Sequence, residues 1–243
     1  MYSFDSRVRY SETAEDGRLS LCSAIHYMQD CSIFQSEALG VGIRVLREQG
    51  RAWLLSSWQV EFLGRPELGE KITVGTWASS FKAMYGYRNF VILDGEGRQA
   101  VRAATIWVYM DIRSGHPAKA EGAGVTPYPL EPPIEMEQDG RKIRIPEGLV
   151  EYDSFPVQKY QIDTNGHVNN GQYIQMAEPW LPEDENVRKL RVEYKKAAVY
   201  GDRIVPFAGG AEERQTVVLK SPDGQVYAII QTVPFMGQKG SLC

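Results

Sequence analysis

The chain contains a copy of its own plan. Val60-Glu61-Phe62 followed by Gly69-Glu70-Lys71-Ile72 matches Val192-Glu193-Tyr194 followed by Gly201-Asp202-Arg203-Ile204 at one constant offset of 132 residues (192 − 60 and 201 − 69). Upstream, Asp16-Gly17-Arg18-Leu19-Ser20 matches Asn165-Gly166-His167-Val168-Asn169 at an offset of 149 (166 − 17). Each of these runs precedes a stretch of helical periodicity. A repeated unit folds twice into the same supersecondary arrangement, which excludes most other plans for the chain. The change of offset means that the second copy has lost residues between its helix and the next strand.

Within each copy the order is helix, then strands. Leu21, Ala24, Ile25, Met28, Cys31 and Leu39 fall at helical spacing, with Gly40 as a stop, and predict a helix from about Ser20 to Leu39. Strands are expected near Trp53–Phe62, Lys71–Ser79, Tyr85–Leu93 and Val101–Met110, the last alternating through Val101, Ala103, Thr105, Trp107 and Tyr109. The second copy repeats them near Lys189–Lys196, Arg203–Phe207, Arg214–Lys220 and Val226–Val233. Asp94-Gly95-Glu96-Gly97 and Ser221-Pro222-Asp223-Gly224 supply the hairpins. The pattern is α+β. Residues 1–115 form the expected first unit and 157–243 the second. Between them, 116–156 is expected to be a surface linker, since the region holds Pro117, Pro127, Pro129, Pro132, Pro133, Pro146 and Pro156, seven of the thirteen prolines.

Composition narrows the function. At 243 residues, 43% hydrophobic and 24% charged, the chain has the make-up of a globular protein with a sizeable core. A net charge of −4 argues against nucleic acid as a partner. No apolar run is long enough for a signal peptide or a membrane span, and a cytoplasmic location is expected. Cys22, Cys31 and Cys243 fit a reducing compartment and contain no ligand-spaced pair, so neither a metal nor a cofactor is expected.

Polar chemistry concentrates in Asp163-Thr164-Asn165-Gly166-His167-Val168-Asn169-Asn170, immediately before Tyr173, Met176, Ala177 and Trp180 at helical spacing. Helix N-terminal N–H groups near Val168, Asn169 and Asn170 suit a developing oxyanion, with the Asn165 carboxamide beside them. His167 has the right intrinsic acidity to activate water near neutral pH. Asp163 either orients the motif or His167, or approaches the water itself. A structural reading competes: Asn-Gly favours a tight turn, and Asn169 or Asn170 is an ordinary helix cap. That reading leaves Asp163 and His167 without a reason. In the first copy Ala14 stands in place of Asp163 and Arg18 in place of His167, so only the second copy carries the chemistry.

A duplicated helix-and-sheet unit with Asp-x-Asn-x-His-Val-Asn-Asn-x-x-Tyr at its second helix resembles the acyl-acyl carrier protein (ACP) thioesterases of plants and bacteria. Asp163, Asn165, His167, Val168, Asn169, Asn170 and Tyr173 match that motif. The resemblance spans nearly the whole chain. It implies a double hotdog fold: two tandem units, each with a long central helix wrapped by an antiparallel sheet. It further implies hydrolysis of fatty acyl-ACP to free fatty acid, with Asp163, Asn165 and His167 as catalytic residues and the first unit supplying most of the acyl pocket. One departure stands out. Where the family commonly has Glu-Tyr-Arg-Arg-Glu-Cys, this chain has Glu193-Tyr194-Lys195-Lys196-Ala197-Ala198, so the second Glu, a proposed base, is alanine.

The remaining candidates carry less weight. Cys22 and Cys31 lie on opposite sides of the expected helix and outside the motif, which disfavours a thiol nucleophile. His26 and His116 read as structural or solvated. Arg44, Arg47 and Arg51 form either a basic patch for the acidic surface of ACP or a solvated face. Trp53, Trp58, Trp77 and Trp107 suit an acyl tunnel or a core equally well. Two other functions fit the same residues: a coenzyme A thioesterase or dehydratase on this fold, and a non-catalytic acyl-binding protein. A homodimer is compatible with either. Chain length, saturation preference and oligomeric state are not encoded in any local pattern.

Overall fold

A computed structural model describes residues 1–211 and 213–235. Cys243 lies outside the described residues. The chain divides into two compact units, Met1–Lys142 and the residues from Ile143 onward.

In the first unit, β1 (Tyr2–Arg7) precedes the helices α1 (Leu21–Ala38) and α2 (Ile43–Glu48). Four long strands follow: β2 (Arg51–Phe62), β3 (Lys71–Lys82), β4 (Tyr85–Leu93) and β5 (Gln99–Asp111), with the short β6 (His116–Pro117) after them. The antiparallel order is β1-β3-β4-β5-β2, with β6 on β5. His116 therefore sits in a short strand, paired with Asp111. Ser20 caps α1 by accepting the Ser23 N–H at 3.1 Å. Cys22 and Cys31 are both buried although they leave opposite sides of the helix, because α1 is covered on more than one side. It packs over the sheet: the Cys31 thiol donates to the Val74 carbonyl, and the Gln35 carboxamide oxygen accepts from Arg88 on β4.

The other face of that sheet is crossed by the proline-rich segment. Trp77, Asn89, Ala104 and Gln59 are partners across four neighbouring strands, so their side chains leave the same face. Trp77 Nε1 donates to the Pro132 carbonyl, Asn89 Oδ1 accepts from Ile134 N–H, and Gln59 Oε1 accepts from Asp139 N–H. A segment that prolines bar from ladder bonding is thus tied down by side chains from one row. Between residues 118 and 149 its one described bridge is Leu130 to Ala78, while the expected linker also forms short paired strands at His116–Pro117, Val150–Glu151 and Phe155–Pro156.

The second unit contains the two-residue β7 (Val150–Glu151) and β8 (Phe155–Pro156), helix α3 (Asn170–Ala177), and strands β9 (Val187–Tyr194), β10 (Arg203–Ala211), β11 (Arg214–Lys220) and β12 (Val226–Pro234). Its order is β9-β12-β11-β10-β7, all antiparallel, with β8 also on β10. The 17 residues missing from the second copy (149 − 132) come out of its helical region: α3 has 8 residues where α1 has 18, and α2 has no counterpart. No described helix is long and apolar enough to cross a membrane.

The duplication holds down to single hydrogen bonds. Leu19 N–H donates to the Pro66 carbonyl at 2.8 Å, and its counterpart Val168 N–H donates to the Ala198 carbonyl at 2.9 Å. Each bond joins a residue governed by the offset of 149 to one governed by 132, so both offsets belong to one repeated unit. The glycines of the repeat agree as well: Gly17 and Gly166 have φ of 76° and 78°, and Gly69 and Gly201 have 84° and 86°, in the left-handed region open to residues without Cβ.

Candidate active site

The polar motif forms a tight turn between Ile162 and Val168, which bridge as an antiparallel pair. Asp163 N–H donates to the His167 carbonyl at 2.8 Å, and Gly166 N–H to the Asp163 carbonyl at 3.1 Å. Asp163 Oδ1 then accepts the backbone N–H of Asn165 at 2.7 Å and that of His167 at 3.3 Å. The carboxylate therefore holds the shape of the turn. No described bond joins it to the His167 ring, which stands half-buried, while Asn165 is exposed. Of the roles open to Asp163 in the sequence, this geometry favours orientation of the motif.

The start of α3 differs from the expected oxyanion site. Asn169 is the N-cap: its Oδ1 accepts Gly171 N–H at 2.9 Å, and its carbonyl accepts Gln172 N–H at 2.9 Å. Asn169 N–H donates to the Gln161 carbonyl and Val168 N–H to the Ala198 carbonyl. The main-chain donors of Val168 and Asn169 are thus spent on the fold, because the same groups that make a helix terminus polar also fasten it to its neighbours. Asn170 opens the helix, and its carbonyl accepts the Tyr194 hydroxyl at 2.9 Å.

Two tyrosines buttress the site. Tyr173 Oη accepts Ala198 N–H at 2.7 Å, and its ring packs edge-on to that of Tyr194 at 5.7 Å. Burial, with Asp202 and Asp163 nearby, pushes the Tyr173 hydroxyl up to about 12, so it stays protonated. Sequence reasoning gave Tyr194 no role; its place in the Glu193-Tyr194 run was the available signal.

The strand ends at Tyr194, so Ala197 lies in the loop beyond β9 rather than on the strand, and it is exposed. The first unit shows what a side chain there can reach. Arg65 occupies the position of Ala197 (65 + 132), and Asp16 that of Asn165 (16 + 149). Arg65 donates to Asp16 at 2.5 and 3.1 Å and to the Leu19 carbonyl at 2.8 Å. Arg18, in the place of His167, pairs with Glu67 at 2.6 Å. Burial works against ionised Asp16, yet the Arg18 N–H and the Arg65 guanidinium outweigh it and hold the carboxyl below its usual range. The first copy of the turn is therefore occupied by ion pairs, whereas the second presents a histidine and a carboxamide.

Other expected residues are dispersed. In the first unit Arg44 pairs with Glu48 at 3.0 Å and Arg51 with Asp111, while Arg47 is exposed. Cys22 Sγ lies 3.8 Å from His26 Nε2, and burial lowers the pKa of His26. Burial pushes the Cys31 thiol up to about 12, which removes it as a nucleophile. Trp58 and Trp107 leave the helix-facing side of their sheet and Trp77 the opposite side, so the four tryptophans do not line one space. Among the described residues no cluster of His, Cys, Asp and Glu could hold a metal ion.

Comparison with known proteins places this geometry. The model of the acyl-ACP thioesterase N-terminal domain matches residues 1–124, and that of the C-terminal domain matches residues 148–232. A chloroplastic acyl-[acyl-carrier-protein] hydrolase of Cuphea viscosissima is 24% identical over 205 residues, covering 78% of this chain and 50% of the relative. A chloroplastic palmitoyl-acyl carrier protein thioesterase of Gossypium hirsutum is 22% identical over 213 residues, covering 81% and 52%. The chain thus spans about half the length of the curated relatives it matches. Among solved structures, an acyl-ACP thioesterase from Bacteroides thetaiotaomicron superposes with a TM-score of 0.86 at 23% identity, over 96% of this chain and 97% of that one. The 12:0-ACP thioesterase from Umbellularia californica gives 0.83 at 15% identity, over 97% and 98%. These likenesses establish the fold.

Proposed function

The chain belongs to the acyl-ACP thioesterase family, and on that premise we propose that it hydrolyses the thioester of a fatty acyl chain carried on ACP, releasing free fatty acid and ending elongation. The observation that carries this reading is the asymmetry of the repeated turn: one copy is closed by Arg65–Asp16 and Arg18–Glu67, the other has His167 in place of Arg18, Asn165 in place of Asp16 and Ala197 in place of Arg65.

In this reading His167 takes a proton from water, and the hydroxide attacks the thioester carbonyl carbon. The Asn165 carboxamide N–H is the donor to the oxyanion, since the main-chain donors of Val168 and Asn169 are engaged. Collapse breaks the C–S bond and expels the ACP thiolate, a leaving group that needs little acid assistance. Asp163 positions both groups by gripping their backbone N–H atoms. ACP is the partner, and Arg44, Arg47 and Arg51 are its proposed docking residues; opening the exposed Arg44–Glu48 pair costs about 1 kcal/mol or less. The reading places the protein in the cytoplasm, uses no cofactor, and accommodates a homodimer. A coenzyme A thioesterase and a non-catalytic acyl binder are the competing functions, and turnover of acyl-ACP against acyl-CoA separates them.

His167→Ala is the direct test. Turnover should fall by roughly 10²–10⁴-fold with folding intact, while Arg18→Ala should spare the chemistry. Unchanged turnover in His167→Ala would remove His167 from the mechanism, and absence of turnover in the unaltered protein would leave acyl binding alone.

A further inference from the structure

The first unit buries a charge that the reaction above does not use. Arg88 on β4 is 9% exposed. It pairs across the sheet with Ala78 on one side and Thr105 on the other, and Thr105 pairs in turn with Trp58 of β2. Directly paired residues point to one face, and Gln35 of α1 marks this face as the helix side. A guanidinium donates from Nε, Nη1 and Nη2. Here Nη1 makes both described bonds, to Gln35 Oε1 and to Thr76 Oγ1 at 3.1 Å. The Tyr128 ring lies 5.1 Å from Cζ and covers one side of the plane. Nε and Nη2 have no acceptor, and no carboxylate faces Arg88, among the described residues.

Burial depresses the Arg88 pKa, and the groups that oppose it are the Tyr128 hydroxyl and the Cys31 thiol. The thiol is itself pushed up to about 12, so it is no anion near neutrality. In the same cross-strand row, two strands away, Trp58 is 2% exposed and its indole N–H has no partner. Between them the Thr105 hydroxyl is engaged with the Arg88 carbonyl and the Trp107 indole N–H, while Phe90 packs on Trp58 at 5.0 Å and Met28 of α1 is fully buried. An unmet buried donor such as the Trp58 indole N–H is costly, and a buried charge without a counterion more so. An interior that took only hydrocarbon would have no use for either.

We infer that the helix-facing side of this sheet receives an acyl chain whose far end carries a carboxylate, with Arg88 as its counterion and Trp58 Nε1 as a further donor. This rests on the thioesterase reading with the acyl chain held in the first unit. The Nε and Nη2 donors form the fork that a carboxylate matches with two parallel bonds. A terminal methyl would leave the same donors unmet.

The test uses the full-length protein and two acyl-ACP substrates of equal chain length, one ending in methyl and one in carboxylate. The unaltered protein should favour the carboxylate substrate in kcat/KM by about tenfold or more, the worth of one hydrogen bond to a charged group. Arg88→Met should reverse the preference, and Arg88→Lys should fall between, with melting temperature monitored for each. Trp58→Phe removes only the indole donor and should narrow the ratio if Arg88→Met does not fold. A preference for the methyl substrate, or a ratio unmoved by the substitutions that fold, would overturn the inference while leaving the thioesterase function standing. Hydrolysis of neither substrate would sink both.

Discussion

Placing a carboxylate at position 197 probes the point where this chain departs from its family. Ala197 is exposed, so Ala197→Glu carries little folding cost, within about 0.5 kcal/mol for a surface change. The reach is set by the repeat: Arg65, at the matching position, meets Asp16 at 2.5 Å, and Asp16 matches Asn165. A glutamate is shorter by roughly one bond or two, which places its carboxylate a water's width from Asn165 and His167. If the site lacks a base, turnover of acyl-ACP should rise by about 10²-fold, the low end for a positioned general base. If His167 is already the base, the new charge instead favours the imidazolium over the imidazole that takes the proton. At ~5 Å in water-like surroundings the attraction is about 0.8 kcal/mol, or roughly 0.6 of a pH unit. The acid limb of the rate profile then moves up by that amount, and turnover far down that limb falls by at most about fourfold, with no gain at pH 8. Thiol release from acyl-ACP, followed across pH for both proteins, distinguishes these cases. An identical profile for both would refute the geometry, because it would mean that position 197 does not face the motif.

Three further outcomes follow from the same structure. Asp163→Ala removes two acceptor bonds and should cost about 1–2 kcal/mol in denaturant unfolding, but it should still fold, since Ala14 occupies this place in the first copy of the turn; full turnover in Asp163→Asn would reduce Asp163 to a shaping role. Cys22→Ser and Cys31→Ser should keep activity, and loss of chemistry in a folded variant of either would revive a thiol mechanism. Glu178 is exposed as a residue, yet its carboxyl is half-sheltered, and burial together with Asp184 raises it to about 7. A raised carboxyl favours the protonated fold, so stability should decline as pH climbs from about 4.5 to 7, and Glu178→Gln should recover about 1 kcal/mol at pH 8, after allowance for solvent screening, and nothing at pH 4; equal melting temperatures at pH 8 would contradict it.

Much of the fold was legible because it is written in near neighbours. Apolar spacing gave α1 within a residue at each end, and the glycine turns gave both hairpins, closed by Asp94 N–H to Arg98 and Ser221 N–H to Gln225. The second helix was less well defined: periodicity continued to Trp180, whereas α3 stops at Ala177 and a tighter turn containing Pro179 follows. Strand β10 runs on to Ala211 through Gly209 and Gly210, residues that signal a turn when read alone but here pair with Thr216 and Gln215.

The sequence by itself determined that the chain is built twice on one plan, that the polar Asp163–Asn170 motif stands in the second copy alone, and which residues turn the backbone, since each of these depends on residues a few positions apart. Tertiary structure decided the rest through partners far along the chain. It closed the first turn with Arg65 across 49 residues from Asp16. It drew the Val168 N–H to Ala198 and so took a donor away from the expected oxyanion site. It ended β9 early enough to expose Ala197, laid the proline segment along Trp77, Asn89 and Gln59, and sealed Arg88 under α1. Burial and hydrogen-bond satisfaction are properties of which segments meet, and no local pattern of residue types carries that information.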